Sequence, residues 1–354
     1  MTGLRLKGWL DELEQQALID APLREKLVAG VDSPWWLALL LGIAAWVSAL
    51  FIIGSFMGPW LLFVEGSLGR SLAGAALLGF GIWLFSHPGV FVAQLALALS
   101  LAGQGLLVYV LGSSLDASSF PSLRSAALVC LPLSALLLWL PVSRLFRQVS
   151  AFFALASIAV LLESGPQLAL LASGLALVAA WGWLQRPAWA AHPLAARLRP
   201  LLDAATFMAL VLAAYGEREW LVRLLDSGVM TGNATALLTA ARVVPVLLLL
   251  AIVAWLARHA DLLQRSFALV AAALLGLLFY QAPGLLISCA LGLAVCHAQA
   301  RSWMLLVLVF AAFYLGHFYY SLHITLLHKS MLLVGSGVLL LVVRYGLIRY
   351  GRGK

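Results

Sequence analysis

Charged side chains are scarce in this chain: 22 lysines and arginines and 14 aspartates and glutamates among 354 residues, 10% in all. A soluble globular domain has about a quarter. Cysteine is also sparse. Cys130, Cys289 and Cys296 all fall in apolar runs, and the last two lie seven residues apart on one expected helix. That is roughly 10 Å by helical rise, beyond disulfide reach, so all three read as packing residues. Acidic groups are missing where ion-coupled carriers need them. Each of the 14 lies in a loop or at the end of an apolar run, with Glu163 the closest to an apolar interior, which argues against a proton- or sodium-driven carrier. No Ser-His-Asp set, phosphate loop or catalytic carboxylate pair can be located, so the reading is a protein that is not an enzyme, with no cofactor and no metal.

What fills the sequence instead is apolar. Hydrophobic residues make up 64% of it and the mean hydropathy is +1.03. Apolar runs of about 18 residues or more recur from Trp35 to Gly346, each long enough as a helix to cross a hydrocarbon core of about 30 Å. Lipid cannot satisfy free backbone groups, and the alternation of barrel strands is absent, so helices are the forced choice. The expected fold is an all-α polytopic membrane bundle of about twelve spans, at 35–57, 69–86, 89–111, 123–140, 146–163, 166–184, 201–215, 235–257, 266–281, 283–298, 301–320 and 328–347. The seventh, "LLDAATFMALVLAAY", is short enough to be tilted or partly re-entrant.

Basic residues in short loops prefer the cytoplasmic side. With the N-terminus inside, outside segments hold only Arg70, Arg124, Arg218, Arg223 and Lys329. Arg242 lies within a span, and the other sixteen of the 22 basic residues fall inside. Both termini are therefore expected in the cytoplasm, and the net charge of +8 reports orientation. It does not indicate nucleic-acid binding, because no contiguous basic patch with interleaved aromatics is present. The first 30 residues are too polar for a secretory signal, which makes 35–57 an uncleaved first anchor.

Three regions are expected: a cytoplasmic helical hairpin at 1–33, the membrane bundle at 34–347 and a basic tail at 348–354. In the hairpin Arg5, Lys7, Arg24 and Lys26 face Asp11, Glu12, Glu14, Asp20, Glu25 and Asp32. Lipid-binding amphipathic helices are basic, so this acidic segment is read as docking on protein. The longest inside connection, 185–200, separates six spans from six, a layout shared with two-halved transporters. No internal repeat supports that comparison, and the turn "SHPG" lacks the basic signature of major-facilitator carriers. Outside, "GEREWLVRLLDSG" puts apolar and charged residues on opposite faces and is expected flat on the membrane surface. Small residues at Gly54/Gly58, Gly69/Ala73 and Ala75/Gly79 are expected to bring helices close.

The strongest candidate for an intramembrane polar site is Arg242, about 10 Å below the outer end of its span. A snorkel to the outer headgroups or an ion pair with Glu163 is favoured over contact with a substrate anion. Gln94, Gln104, Ser134, Ser157, Thr206 and Ser336 are scattered, as helix-bonding groups would be. The run "FYLGHFYYSLHITLLHKSM" carries His317, Tyr319, Tyr320, His323 and His328. Aromatic and histidine residues at a hydrocarbon boundary form an interfacial belt. A metal site would place histidines at i and i+4 with a carboxylate nearby, and neither is present.

The run "FYYSLHITLLHKSMLLVGSGVLLLVVR", the first span "WWLALLLGIAAWVSALF" and the helix "LDELEQQALID" before it resemble a bacterial membrane-protein family, domain of unknown function 4401, and the related domain of unknown function 2157. The resemblance covers the whole chain and implies an inner-membrane location. It also implies a membrane-anchored companion protein with a Gly-Asp-Tyr-x-x-Leu-x-Tyr motif as partner besides the lipid bilayer, and supplies no catalytic or binding residues. The expected function is a non-enzymatic subunit or scaffold of a cell-envelope membrane assembly. The alternative is a permease for a small or lipophilic solute.

Overall fold

The computed structural model describes residues 35–57, 66–116, 120–140, 143–162, 165–192, 195–215, 234–280 and 282–321, with scattered positions from 330 to 341. The expected hairpin at 1–33, the outer segment 216–228, most of the last span and the basic tail lie outside the described residues, as do Glu163, His323 and His328. Everything described is helix or connection. The helices are α1 (Trp35–Ile52), continued by a π turn at Ile53–Met57, α2 (Ser67–Leu84), α3 (Val90–Asp116), α4 (Leu123–Trp139), α5 (Arg144–Leu162), α6 (Gly165–Leu184) and the short α7 (Arg186–Trp189). Then come α8 (Ala195–Tyr215), α9 (Ala234–Leu256), α10 (Leu262–Leu278), α11 (Pro283–His297) and α12 (Arg301–Ser321). Each of the first eleven expected spans overlaps one of these helices.

Among the described residues, five helices are long and apolar enough to cross a membrane: Ser67–Leu84, Val90–Asp116, Arg144–Leu162, Gln167–Leu184 and Thr239–His259. Five shorter apolar stretches accompany them, in α1, α4, α10, α11 and α12. Helix α8 belongs to neither group, because it differs from the expected 201–215. It begins at Ala195, before Pro200, and so takes Arg197 and Arg199 into the helix and moves Asp203 from its first turn to its third. Pro200 is the sixth residue of this helix, where its missing N–H leaves the Ala196 carbonyl without an intrahelical donor, and the helix nevertheless runs on both sides of it.

The chain divides into two compact units, Met1–Pro121 and Ser122–Lys354. The connection at 185–200 therefore lies within the second unit, where α6 and α8 pack directly on one another. In the first unit α3 packs against both α1 and α2. The buried face of α2 is Ala73, Gly74, Leu77, Leu78 and Gly81, a stripe at three- and four-residue spacing. A Cβ on Gly103 of α3 would stand 2.5 Å from the Leu78 nitrogen and 2.7 Å from the Gly74 carbonyl oxygen, so the two backbones touch. Of the small-residue pairs expected to mediate close approach, Ala73 is in this contact. Gly79 opens on empty space, as does Gly54, and Ala75 is exposed. The register of α2 turns the Gly74–Leu78–Gly81 ridge inward and Ala75/Gly79 outward.

In the second unit α11 is the most enclosed helix, with Leu286, Ile287, Ala290, Leu291, Ala294 and Val295 at 1% exposure or less. It packs on α6, α8, α9 and α12. At its start Gly284 lies against the Tyr314 ring, and a Cβ there would stand 2.7 Å from the Ala213 carbonyl oxygen. Hydroxyls inside the unit are mostly satisfied by their own helices: Ser157 donates to the Phe153 carbonyl at 2.8 Å, Ser173 to Ala169 at 2.9 Å and Ser288 to Gly284 at 2.9 Å. Large apolar side chains remain exposed along many helices, among them Leu72, Leu136, Leu247, Leu277 and Leu305.

Candidate functional site

The closest charged contact among the described residues joins α5 to α8. Ser143 precedes α5, and its Oγ accepts the Phe146 backbone N–H at 3.3 Å, an N-cap that starts the helix at Arg144. Phe146 is fully buried and anchors that first turn. A cation at the first helical position faces the positive end of the helix dipole, and the offsetting charge comes from α8. The Arg144 Nη2 donates to Asp203 Oδ2 at 2.8 Å, with the arginine side chain 52% exposed and the aspartate 2% exposed.

Further along α5, at three-residue spacing from Arg144, come Arg147 and Ser150, which share its face. The Arg147 Nε, Ser150 Oγ and Asp203 Oδ1 are all buried with no hydrogen-bond partner. One turn beyond Asp203 the polar character ends. Thr206 donates to the Leu202 carbonyl at 2.7 Å and accepts the Trp183 indole N–H at 3.0 Å. The Phe207 ring lies between Phe152, tilted against it at 5.7 Å, and Phe310, edge-on at 6.1 Å between centroids. The result is an ion pair between α5 and α8 whose carboxylate is buried and whose guanidinium reaches the surface. Its chemistry is charge neutralisation, since the carboxylate is held against a cation.

This ion pair corrects the expectation that acidic residues lie only in loops and at span ends. Asp203 is buried inside a helix because α8 starts about two turns earlier than expected. The sequence carried a usable signal, as Ala195-Ala196-Arg197-Leu198-Arg199 is a run of the strongest helix formers.

The basic connections of the second unit gather at one end of it. Arg144 of α5 reaches α8 as above, and Arg197 of α8 lies 5.8 Å over the Trp139 ring at the end of α4. Arg186 donates to the Ala298 carbonyl beyond α11 at 2.9 Å. Trp255 near the end of α9 meets the His297 ring edge-on at 5.6 Å.

Arg242, the expected intramembrane site, is exposed on α9, while Pro245 in the same helix is buried. The proposed partner Glu163 lies outside the described residues. His317, Tyr319 and Tyr320 fall in the last turns of α12, and their side chains are outside the described residues. Just before them Tyr314 is 3% exposed and packs with Ala214, Ala282 and Leu285. Among the scattered polar groups, Gln94 accepts the Trp46 indole N–H across α1 and α3 at 3.4 Å, whereas Ser157 bonds within its own helix and Ser134 contacts Cys130 Sγ at 3.5 Å. The cysteines only partly match a packing role, because Cys289 and Cys296 are exposed on α11. Among the described residues no group of three His, Cys, Asp or Glu side chains is placed to hold a metal ion.

No curated protein and no solved structure matches this chain. Residues 34–350 match a family described as Domain of unknown function (DUF4401). The match takes in every described helix from α1 to α12, the ion pair of α5 and α8 and the enclosed α11, and so the chain belongs to the DUF4401 family.

Proposed function

We propose that this protein is a multi-pass subunit or scaffold of a membrane assembly in the bacterial cell envelope, without enzymatic activity, crossing the inner membrane about twelve times with both termini in the cytoplasm. The observation that carries this reading is how the interior is built. Helices touch backbone to backbone at Gly103 and Gly284, and most hydroxyls are spent within their own helices. Direct contact of this kind leaves a fixed frame, as a scaffold requires. The orientation is supported by the gathering of basic connections at one end of the second unit. The companion implied by the sequence resemblance, membrane-anchored and carrying Gly-Asp-Tyr-x-x-Leu-x-Tyr, is the first partner to seek.

A permease is the second reading, favoured by the polar atoms of Arg147, Ser150 and Asp203 that are buried without a partner, an arrangement that a transported polar solute would have to open to reach. Affinity purification of the full chain from native membranes in mild detergent tests the first reading. A membrane protein recovered in constant ratio is the expected result. Recovery of the chain alone, together with solute flux in reconstituted vesicles, would replace the scaffold with the permease.

A further inference from the structure

Where α6, α9 and α11 end together, a cleft of about 250 Å³ opens to the surface. Its wall is apolar at Leu184, Pro187 and Ala188, and its polar rim is Gln185, Arg258 and His297, with Trp255 between them. The Arg258 guanidinium lies 4.0 Å over the Trp255 ring and its Nε is engaged with His259 Nε2 at 3.0 Å. Contact with the indole face restrains the guanidinium, and the N–H groups of Nη1 and Nη2 spread within its plane as a fork. His297 meets the same indole edge-on at 5.6 Å. No carboxylate lines the cleft.

Three helix C-termini meet here, and each carries a partial negative charge of about half a unit that would repel an anion. Arg186 counters them. Its Nη1 donates to the Ala298 carbonyl at 2.9 Å and its guanidinium lies 5.9 Å from the Trp183 ring centre, so it is occupied with the carbonyl ends and Arg258 remains for a ligand.

We propose that this cleft binds the phosphate of an anionic phospholipid, held by Arg258 and His297, with the glycerol and first methylenes against Leu184, Pro187 and Ala188. Phosphate oxyanions suit a planar guanidinium whether they are free or on a lipid. The surroundings select the lipid. Val178 and Trp181 are 62% and 57% exposed on α6 and share a face with Gln185 at three- and four-residue spacing. They form an apolar track leading from the cleft along the helix, which acyl chains would cover and a free phosphate would leave bare.

The proposal rests on the membrane reading, and the two are tested separately. Release of the protein from native membranes by alkaline carbonate would sink the membrane reading. Retention there with no lipid preference would sink only the lipid site. For the site, purified full-length protein in detergent is titrated with short-chain phosphatidylglycerol, with phosphatidylcholine of the same chains and with inorganic phosphate. Phosphatidylglycerol should bind about tenfold more tightly than phosphatidylcholine, and Arg258→Gln should remove most of that difference. Arg258→Lys, which keeps the charge but not the planar fork, should weaken binding severalfold, while Arg265→Gln on α10, outside the cleft, should change nothing. Equal binding of the two lipids, indifference to Arg258, or inorganic phosphate competing at the lipid's own concentration would each overturn the lipid assignment.

Discussion

Asp203 is almost fully buried, whereas its partner Arg144 keeps half its side chain in contact with the surroundings, and this asymmetry decides what substitution does. Removing Arg144 strands a buried carboxylate, and removing the carboxylate leaves an arginine that can be solvated. Arg144→Leu should therefore destabilise the fold by about 2 kcal/mol, discounted from a fully buried pair because the arginine is half exposed. Asp203→Asn, whose amide oxygen still accepts from Arg144, should cost about 1 kcal/mol. The double replacement Arg144→Leu/Asp203→Leu should recover part of the loss, since neither charge is left alone. Unfolding midpoints in detergent check the order, and a double variant worse than the sum of Arg144→Leu and Asp203→Leu made singly would rule out the pair. Arg242 is a different case. Exposed on α9, it is free to lean its long stem toward headgroups. Arg242→Lys should be tolerated and Arg242→Leu should lower stability, whereas loss of a transport activity with lysine would point to an anionic substrate.

Between helices, contact geometry matters more than composition. Helix α2 offers Gly74, Leu78 and Gly81 to α3 while Gly79 faces open space, although both sets are small residues at helical spacing. Gly103→Ala would push a methyl into the Leu78 backbone at 2.5 Å. With backbone on both sides neither helix can yield locally, and a loss of about 2 kcal/mol is expected. Gly79→Ala meets nothing and gains helix propensity of up to about 1 kcal/mol. Thermal stability of the two variants should thus move in opposite directions, and equal effects would contradict the α2–α3 register.

For the molecule as a whole, orientation is the property most open to test. Arg144, Arg186 and Arg197 all sit at the end of the second unit where α6, α9 and α11 finish. If that end is cytoplasmic, a single cysteine placed at Gln185 in a cysteine-free chain should resist a membrane-impermeant thiol reagent applied to intact cells, and should label after the inner membrane is opened. A cysteine at Ser122, before α4, should label from outside. The reverse pattern would invert the topology, and labelling of both from outside would require a different number of crossings.

Helix existence and placement were legible in the chain because lipid-like apolar runs leave the backbone one way to satisfy itself, so every helix from α1 to α12 except the short α7, which falls in the expected connection, overlaps a run that hydropathy picks out. Charge scarcity and the bias of basic loops were equally plain, being sums over residues that no packing alters. What hydropathy could not reveal was which face of a helix turns inward and which distant residues meet. The apolar run places a span at 201–215 with Asp203 near its end, whereas α8 begins at Ala195 and its packing makes Asp203 a buried partner for Arg144, 59 positions away. Gly74 and Gly79 are indistinguishable by type, and the cleft at Arg258 and His297 joins three helix ends far apart in the chain. These depend on the rotation of each helix about its axis and on contacts across long sequence separations, which the packing of complementary surfaces decides.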